Sequence, residues 1–183
     1  MRARIILAGL IAIIAFASCG TQKAAVSKPD EGPIIQTKFL GAEFGLSQSR
    51  TKIRWSRYRP LTNNDGTLVI TDQSFGGYNW HYVSGFFVGD MLSIVGFQQE
   101  FNYEEDARDR FDAICRMLRV KYGKLEPTEK GDGFFFTDTQ ENTVSITVHP
   151  GTAKSGRDFW YCDLGYYWGP GAFLLQLKSF SEL

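Results

Sequence analysis

The chain reads as an α+β domain: an antiparallel sheet of about five to seven strands with two helices on one face. Three observations predict this. One long stretch, Tyr103 to Tyr122, carries helical periodicity, and several shorter stretches alternate apolar and polar residues with a period of two. Glycine, asparagine and aspartate clusters separate those stretches at hairpin spacing.

The elements follow in order. Phe39 to Gly45 reads as an extended lead-in. Ser47 is a plausible N-cap for a short first helix whose apolar face is thin, essentially Ile53, Trp55 and Tyr58, and Pro60 ends it. Asn63-Asn64-Asp65-Gly66 is a turn signal before the strand Leu68-Val69-Ile70. Gly76-Gly77 then precedes a long strand, Tyr78 to Val88, on which Trp80, Tyr82, Phe86 and Val88 share one parity. Gly89-Asp90 turns the chain into a returning strand, Met91 to Phe101.

The main helix is predicted over Tyr103 to Tyr122. Asn102 reads as its cap and Glu105 as the capping-box partner, with Glu104 and Asp106 complementing the positive helix start. Ala107, Phe111, Ile114, Cys115, Leu118 and Tyr122 recur on one face, and Gly123 reads as the C-cap. Beyond it, Phe134 to Thr137 is a strand and Asp138 to Asn142 a polar turn. Val144, Ile146 and Val148 alternate with Ser145, Thr147 and His149 as a half-buried strand. After a loop at Gly151 to Asp158, Trp160, Cys162, Leu164 and Tyr166 share one side of an aromatic strand. Ala172 to Phe180 reads either as a final strand or as a docked tail. Helix, about three strands, helix and about three strands suggest a tandem α–β–β–β arrangement, although no letter-level repeat proves a duplication.

The N-terminus sets the expected compartment. Arg2 and Arg4 precede an uncharged apolar run, Ile5 to Ala17, of about 13 residues, which suits an export signal and falls short of a spanning helix. Phe16-Ala17-Ser18-Cys19 resembles the lipobox of bacterial lipoproteins, with Phe16 where leucine is usual. That resemblance implies cleavage after residue 18 and acylation of Cys19. Residues 19–38 then form a lipidated, small and polar tether, and 39–183 a single domain.

Composition narrows the classes further. The 20 basic and 20 acidic residues cancel, and removal of Arg2 and Arg4 leaves a slight acidic excess, which argues against a nucleic-acid partner. With 15 Phe, 8 Tyr and 4 Trp, the chain is too aromatic to stay disordered. If Cys19 is lipidated, Cys115 and Cys162 remain. A disulfide between them is one reading, and two buried free thiols packing as small hydrophobes is the other.

Phe39 to Ser47, Phe75-Gly76-Gly77-Tyr78-Asn79-Trp80 and the Lys121-Tyr122-Gly123 helix end resemble small lipoproteins of Bacteroidetes. The helix-then-antiparallel-strand order is similar to that of BamE-like outer-membrane assembly lipoproteins and of β-lactamase-inhibitor-protein folds. The likeness implies a fold and no activity. Gly20 after the cysteine, and no acidic run in Thr21-Gln22-Lys23, imply an outer-membrane anchor facing the periplasm.

Catalytic and metal signatures are weak. His81 and His149 lie in no metal-ligand spacing, and no nucleophile-elbow pattern surrounds a serine. Asn63 to Gly66 lacks the alternating oxygen ligands of a calcium loop, and Gly169-Pro170-Gly171 is followed by no phosphate-binding lysine. No catalytic residue, metal or cofactor is expected. Two surfaces remain as binding candidates: the basic cluster Arg50, Lys52, Arg54 and Arg57, and the aromatic pair Tyr167 and Trp168. The leading expectation is a non-enzymatic scaffold lipoprotein with an envelope protein as partner. A glycan- or small-ligand-binding module is the alternative. An inhibitor of an envelope enzyme rests on fold analogy alone.

Overall fold

The computed structural model describes residues 32–152 and 158–171. The leader, Cys19, the tether up to residue 31 and the expected final element at 172–180 lie outside the described residues. A small hairpin, β1 (Lys38–Phe39) with β2 (Ala42–Glu43), leads into α1 (Gln48–Arg54) and a 3₁₀ turn at Ser56–Tyr58. Then come β3 (Leu61–Thr62), β4 (Leu68–Phe75), β5 (Tyr78–Val88), β6 (Met91–Phe101) and α2 (Glu104–Tyr122). β7 (Glu126–Pro127), β8 (Gly133–Thr137), β9 (Thr143–Thr152) and β10 (Asp158–Tyr167) follow among the described residues.

The fold is α+β, as expected, but the main sheet has eight strands instead of five to seven, in the order β3-β4-β5-β6-β10-β9-β8-β7. The difference comes from two edge strands of two residues each, β3 and β7, too short to leave a pattern in the sequence. Each half of the sheet follows a helix and begins at its own short edge strand. The halves meet where β6 pairs antiparallel with β10 in the centre. Such stubs also blunt the sheet edges against unwanted pairing.

One cross-strand row shows how the core forms. Ile70, Val83, Phe97, Leu164, Ile146 and Phe134 stand side by side across six strands, and all but the half-buried Phe134 are buried. Helix α2 lies on this face, burying Ala107, Phe111, Ile114, Cys115, Leu118 and Tyr122 as its periodicity predicts. Burying one such aliphatic side chain contributes about 1.5–3 kcal/mol. Tyr122 stacks on Phe136 at 5.2 Å, and Phe111 on Phe134 at 6.0 Å, tying the middle and the C-terminal end of the helix to β8. Gly123, at φ 84°, closes the helix with its N–H on the Arg119 carbonyl.

Local chemistry corrects four expectations. The N-cap of α2 is Tyr103, with no side-chain cap bond, and not Asn102; the acidic first turn supplies the complement to the helix start. In α1, Ser47 does cap, accepting from the Arg50 N–H, but the buried residue is Thr51, with Trp55 just past the helix end. Ile53 is 71% exposed, because at 3.6 residues per turn it points directly away from Thr51 and Trp55. On β5, Trp80 and Val88 face the core while Tyr82 and Phe86 face the other side. The alternation slips where β4 carries Asp72 at φ 55° and again at the register shift between Phe86 and Phe87. Finally, β9 extends to Thr152 and β10 begins at Asp158, so the expected loop is shorter.

Candidate functional site

Among the described residues nothing covers the sheet face opposite α2, and its centre is floored by small residues. Ser84, Gly96, Gly165 and Ser145 pair in register across β5, β6, β10 and β9. Larger side chains rise on either side of that row. Two residues along each strand in one direction stand Phe86, Ile94, Tyr167 and Thr143. In the other direction stand Tyr82, Gln98, Asp163 and Thr147. A row of glycine and serine between two rows of larger side chains makes a groove, because side chains at i and i+2 share a face. The groove encloses about 340 Å³ and crosses the strands. One wall is largely apolar and the other polar. Across four strands it runs about 14 Å, three interstrand spacings.

The glycines are part of this geometry. A Cβ on Gly165 would sit 2.8 Å from the ring and hydroxyl of Tyr167, so the ring lies against bare backbone. Phe86 approaches Gly96 more loosely, with 3.8 Å to where a Cβ would be. Beyond Tyr167 the groove opens into a second depression of about 560 Å³, which shares Ser145, Thr147 and Tyr167 and continues to Phe135 and Lys130 on the β8 side.

A charged pair borders the polar wall. His149 Nε2 meets Asp163 Oδ2 at 2.8 Å, and His149 Nδ1 faces the Pro150 carbonyl at 3.2 Å. Both partners are acceptors, so the ring satisfies both only as the doubly protonated imidazolium. Burial opposes that charge. The Asp163 hydrogen bond, the Pro150 carbonyl and the nearby charges of Asp163 and Asp132 outweigh it and raise the His149 pKa. Asp163 Oδ1 is covered and has no hydrogen-bond partner among the described residues. Next to the pair, Tyr161 is held above its ordinary pKa by burial and by the Glu100 and Asp163 charges, so its phenol stays a neutral donor. His81 lies apart from this pair: the Glu100 N–H donates to its Nδ1 at 3.2 Å.

The residues singled out from sequence fall in different places. Tyr167 lines the groove. Trp168 does not join it; the ring is half-buried and packs 3.5 Å from where a Gly45 Cβ would sit. Arg50, Lys52, Arg54 and Arg57 are all exposed, around α1 and the 3₁₀ turn, and none of them lines the groove. Cys115 and Cys162 are both buried and free. Burial pushes their thiols up to about 11 and about 12, which makes them inert at neutral pH. Among the described residues no group of three or more His, Cys, Asp or Glu side chains could hold a metal ion.

Sequence reasoning missed the groove floor and the His149–Asp163 pair. Both depend on the register between strands far apart in the chain. Parity along each strand does place Ser145, Thr147 and His149 together, and Asp163, Gly165 and Tyr167 together. The pairing of β9 with β10 was the unreadable part. The chain matches no family model, and neither a curated protein nor a solved structure proved similar to it.

Proposed function

We propose that this protein is a non-enzymatic binding module, tethered in the cell envelope through Cys19, whose open sheet face takes a short glycan chain. The observation that carries the reading is the two-sided groove: Phe86 and Tyr167 on one wall, Gln98, Asp163 and Thr147 on the other, over a floor of glycine and serine. A sugar ring offers C–H faces that pack on aromatic surfaces and a rim of hydroxyls that need donors and acceptors. The walls supply those two chemistries separately. Binding pockets combine an apolar lining with a few placed polar groups in this way, and a volume of about 300 Å³ or more is their usual lower range.

The scaffold reading, with an envelope protein as partner, keeps support from a different feature. The groove is long and open, so an extended peptide could lie in it. The polar wall favours the glycan, because a peptide laid across strands leaves its own backbone groups without ladder partners. No helix among the described residues is long and apolar enough to cross a membrane. Attachment in this reading rests on the Cys19 lipid.

Glycan-array screening of the full chain tests the proposal, followed by calorimetry on the hits. Tyr167→Ala and Asp163→Asn should each weaken binding by roughly ten-fold or more, the scale of losing one aromatic contact or one charged hydrogen bond. Array signals that survive both substitutions would refute this site.

A further inference from the structure

We infer that the outward face of α1 and the adjoining β3 form a docking surface for an anionic lipid bilayer. The inference goes beyond the groove and stands on separate residues.

The charge is one-sided along this stretch of sequence, with the Asp90 carboxylate meeting the start of α1, where it accepts from the Gln48 N–H at 3.1 Å. Between residues 44 and 64 the chain carries Arg50, Lys52, Arg54, Arg57 and Arg59 and no acidic residue, whereas the whole chain balances 20 basic against 20 acidic. All five side chains are exposed. Such a segment is attracted to anionic headgroups, and each basic residue held near the surface strengthens partitioning roughly five-fold.

Charge alone would describe any solvated helix. The second observation is where the aliphatic side chains go. Ile53 is 71% and Leu61 66% exposed. On α1, Ile53 stands at the outermost point, opposite the buried Thr51 and Trp55, with Arg50 and Arg54 on one flank and Lys52 on the other. Lys52 Nζ donates to Thr62 Oγ1 at 2.9 Å, which holds β3, and with it Leu61, beside the helix. An exposed aliphatic tip inside a basic ring is the arrangement by which interfacial helices combine insertion with headgroup attraction. An acidic protein partner would use the same charges but would gain little from so isolated an isoleucine.

The geometry also fixes an orientation. Trp55 packs on the core side of β5, 3.0 Å from where a Gly85 Cβ would sit, while Ser84 and Phe86, the neighbours of Gly85, face the groove. The tip of α1 therefore points away from the groove. With α1 on a bilayer, the groove faces away from it, towards the aqueous side.

Hydrogen–deuterium exchange on the full chain, with vesicles rich in phosphatidylglycerol and with pure phosphatidylcholine vesicles, tests this. The expected result is several-fold slower amide exchange across residues 48–62 on the anionic vesicles only. Arg50→Gln and Arg54→Gln should each reduce the anionic partitioning roughly five-fold, and Ile53→Ser should reduce it with the charge intact. All three positions are exposed, so the variants keep the fold. Equal exchange on both vesicle types, protection of β5, β6 and β10 in place of α1, or full protection retained in the arginine variants would overturn the inference.

Discussion

His149 and Asp163 sit diagonally across the β9–β10 ladder, and their side chains close the gap to 2.8 Å, Nε2 to Oδ2. The contact holds the Asp163 carboxylate within the groove's polar wall and links its geometry to pH.

The folded-state pKa of His149 lies above its ordinary value of 6.5, so the protonated form is favoured by folding. The stabilisation is fully present below that ordinary value and is lost as pH rises through the raised one. Two-dimensional NMR of the imidazole should give a His149 midpoint above 6.5, falling back in Asp163→Asn. A midpoint at or below 6.5 in the native chain would count against the pair.

The groove floor separates two glycines that look alike in the sequence. Gly165→Ala drives a methyl group against the Tyr167 ring at 2.8 Å, within a strand, and should cost about 1–3 kcal/mol. Gly96→Ala meets only the edge of Phe86 at 3.8 Å and should change stability by about 0.5 kcal/mol or less. Urea unfolding of the two variants checks the contrast, and equal costs would contradict it.

Helix caps give a second contrast. Ser47→Ala removes an oxygen that accepts from the Arg50 N–H and should cost about 0.5–2 kcal/mol. Asn102→Ala touches no cap bond, since the N-cap of α2 is Tyr103, and should be close to neutral. Thermal melts of both settle which residue caps.

Thiol chemistry follows from burial. Cys115 and Cys162, with pKa values pushed up to about 11 and about 12, should resist alkylation at neutral pH until denaturant is added. Mass spectrometry after a brief iodoacetamide pulse reads this directly. Rapid labelling of either in the native state would contradict the packing.

These contrasts also show what a sequence can and cannot convey. Helix α2 and the Val144–Ile146–Val148 and Cys162–Leu164–Tyr166 sides are readable because each rests on one period within one segment. Ile53 misleads because α1 makes fewer than two full turns of helix, and one apolar residue in so short a stretch does not define a face. Tyr82 and Phe86 mislead because the irregularity at Asp72 in β4 and the register shift between Phe86 and Phe87 change the parity of β5. The groove is invisible for a third reason: its floor is four residues from four strands, aligned only by pairing registers that no local pattern encodes.

Backbone chemical-shift mapping with a bound oligosaccharide tests the central claim most directly. The amides of Ser84, Gly96, Ser145 and Gly165 should move together on titration, with α1 unaffected. Shifts confined to α1 or to the sheet edges, with those four amides still, would contradict a binding site on the open face.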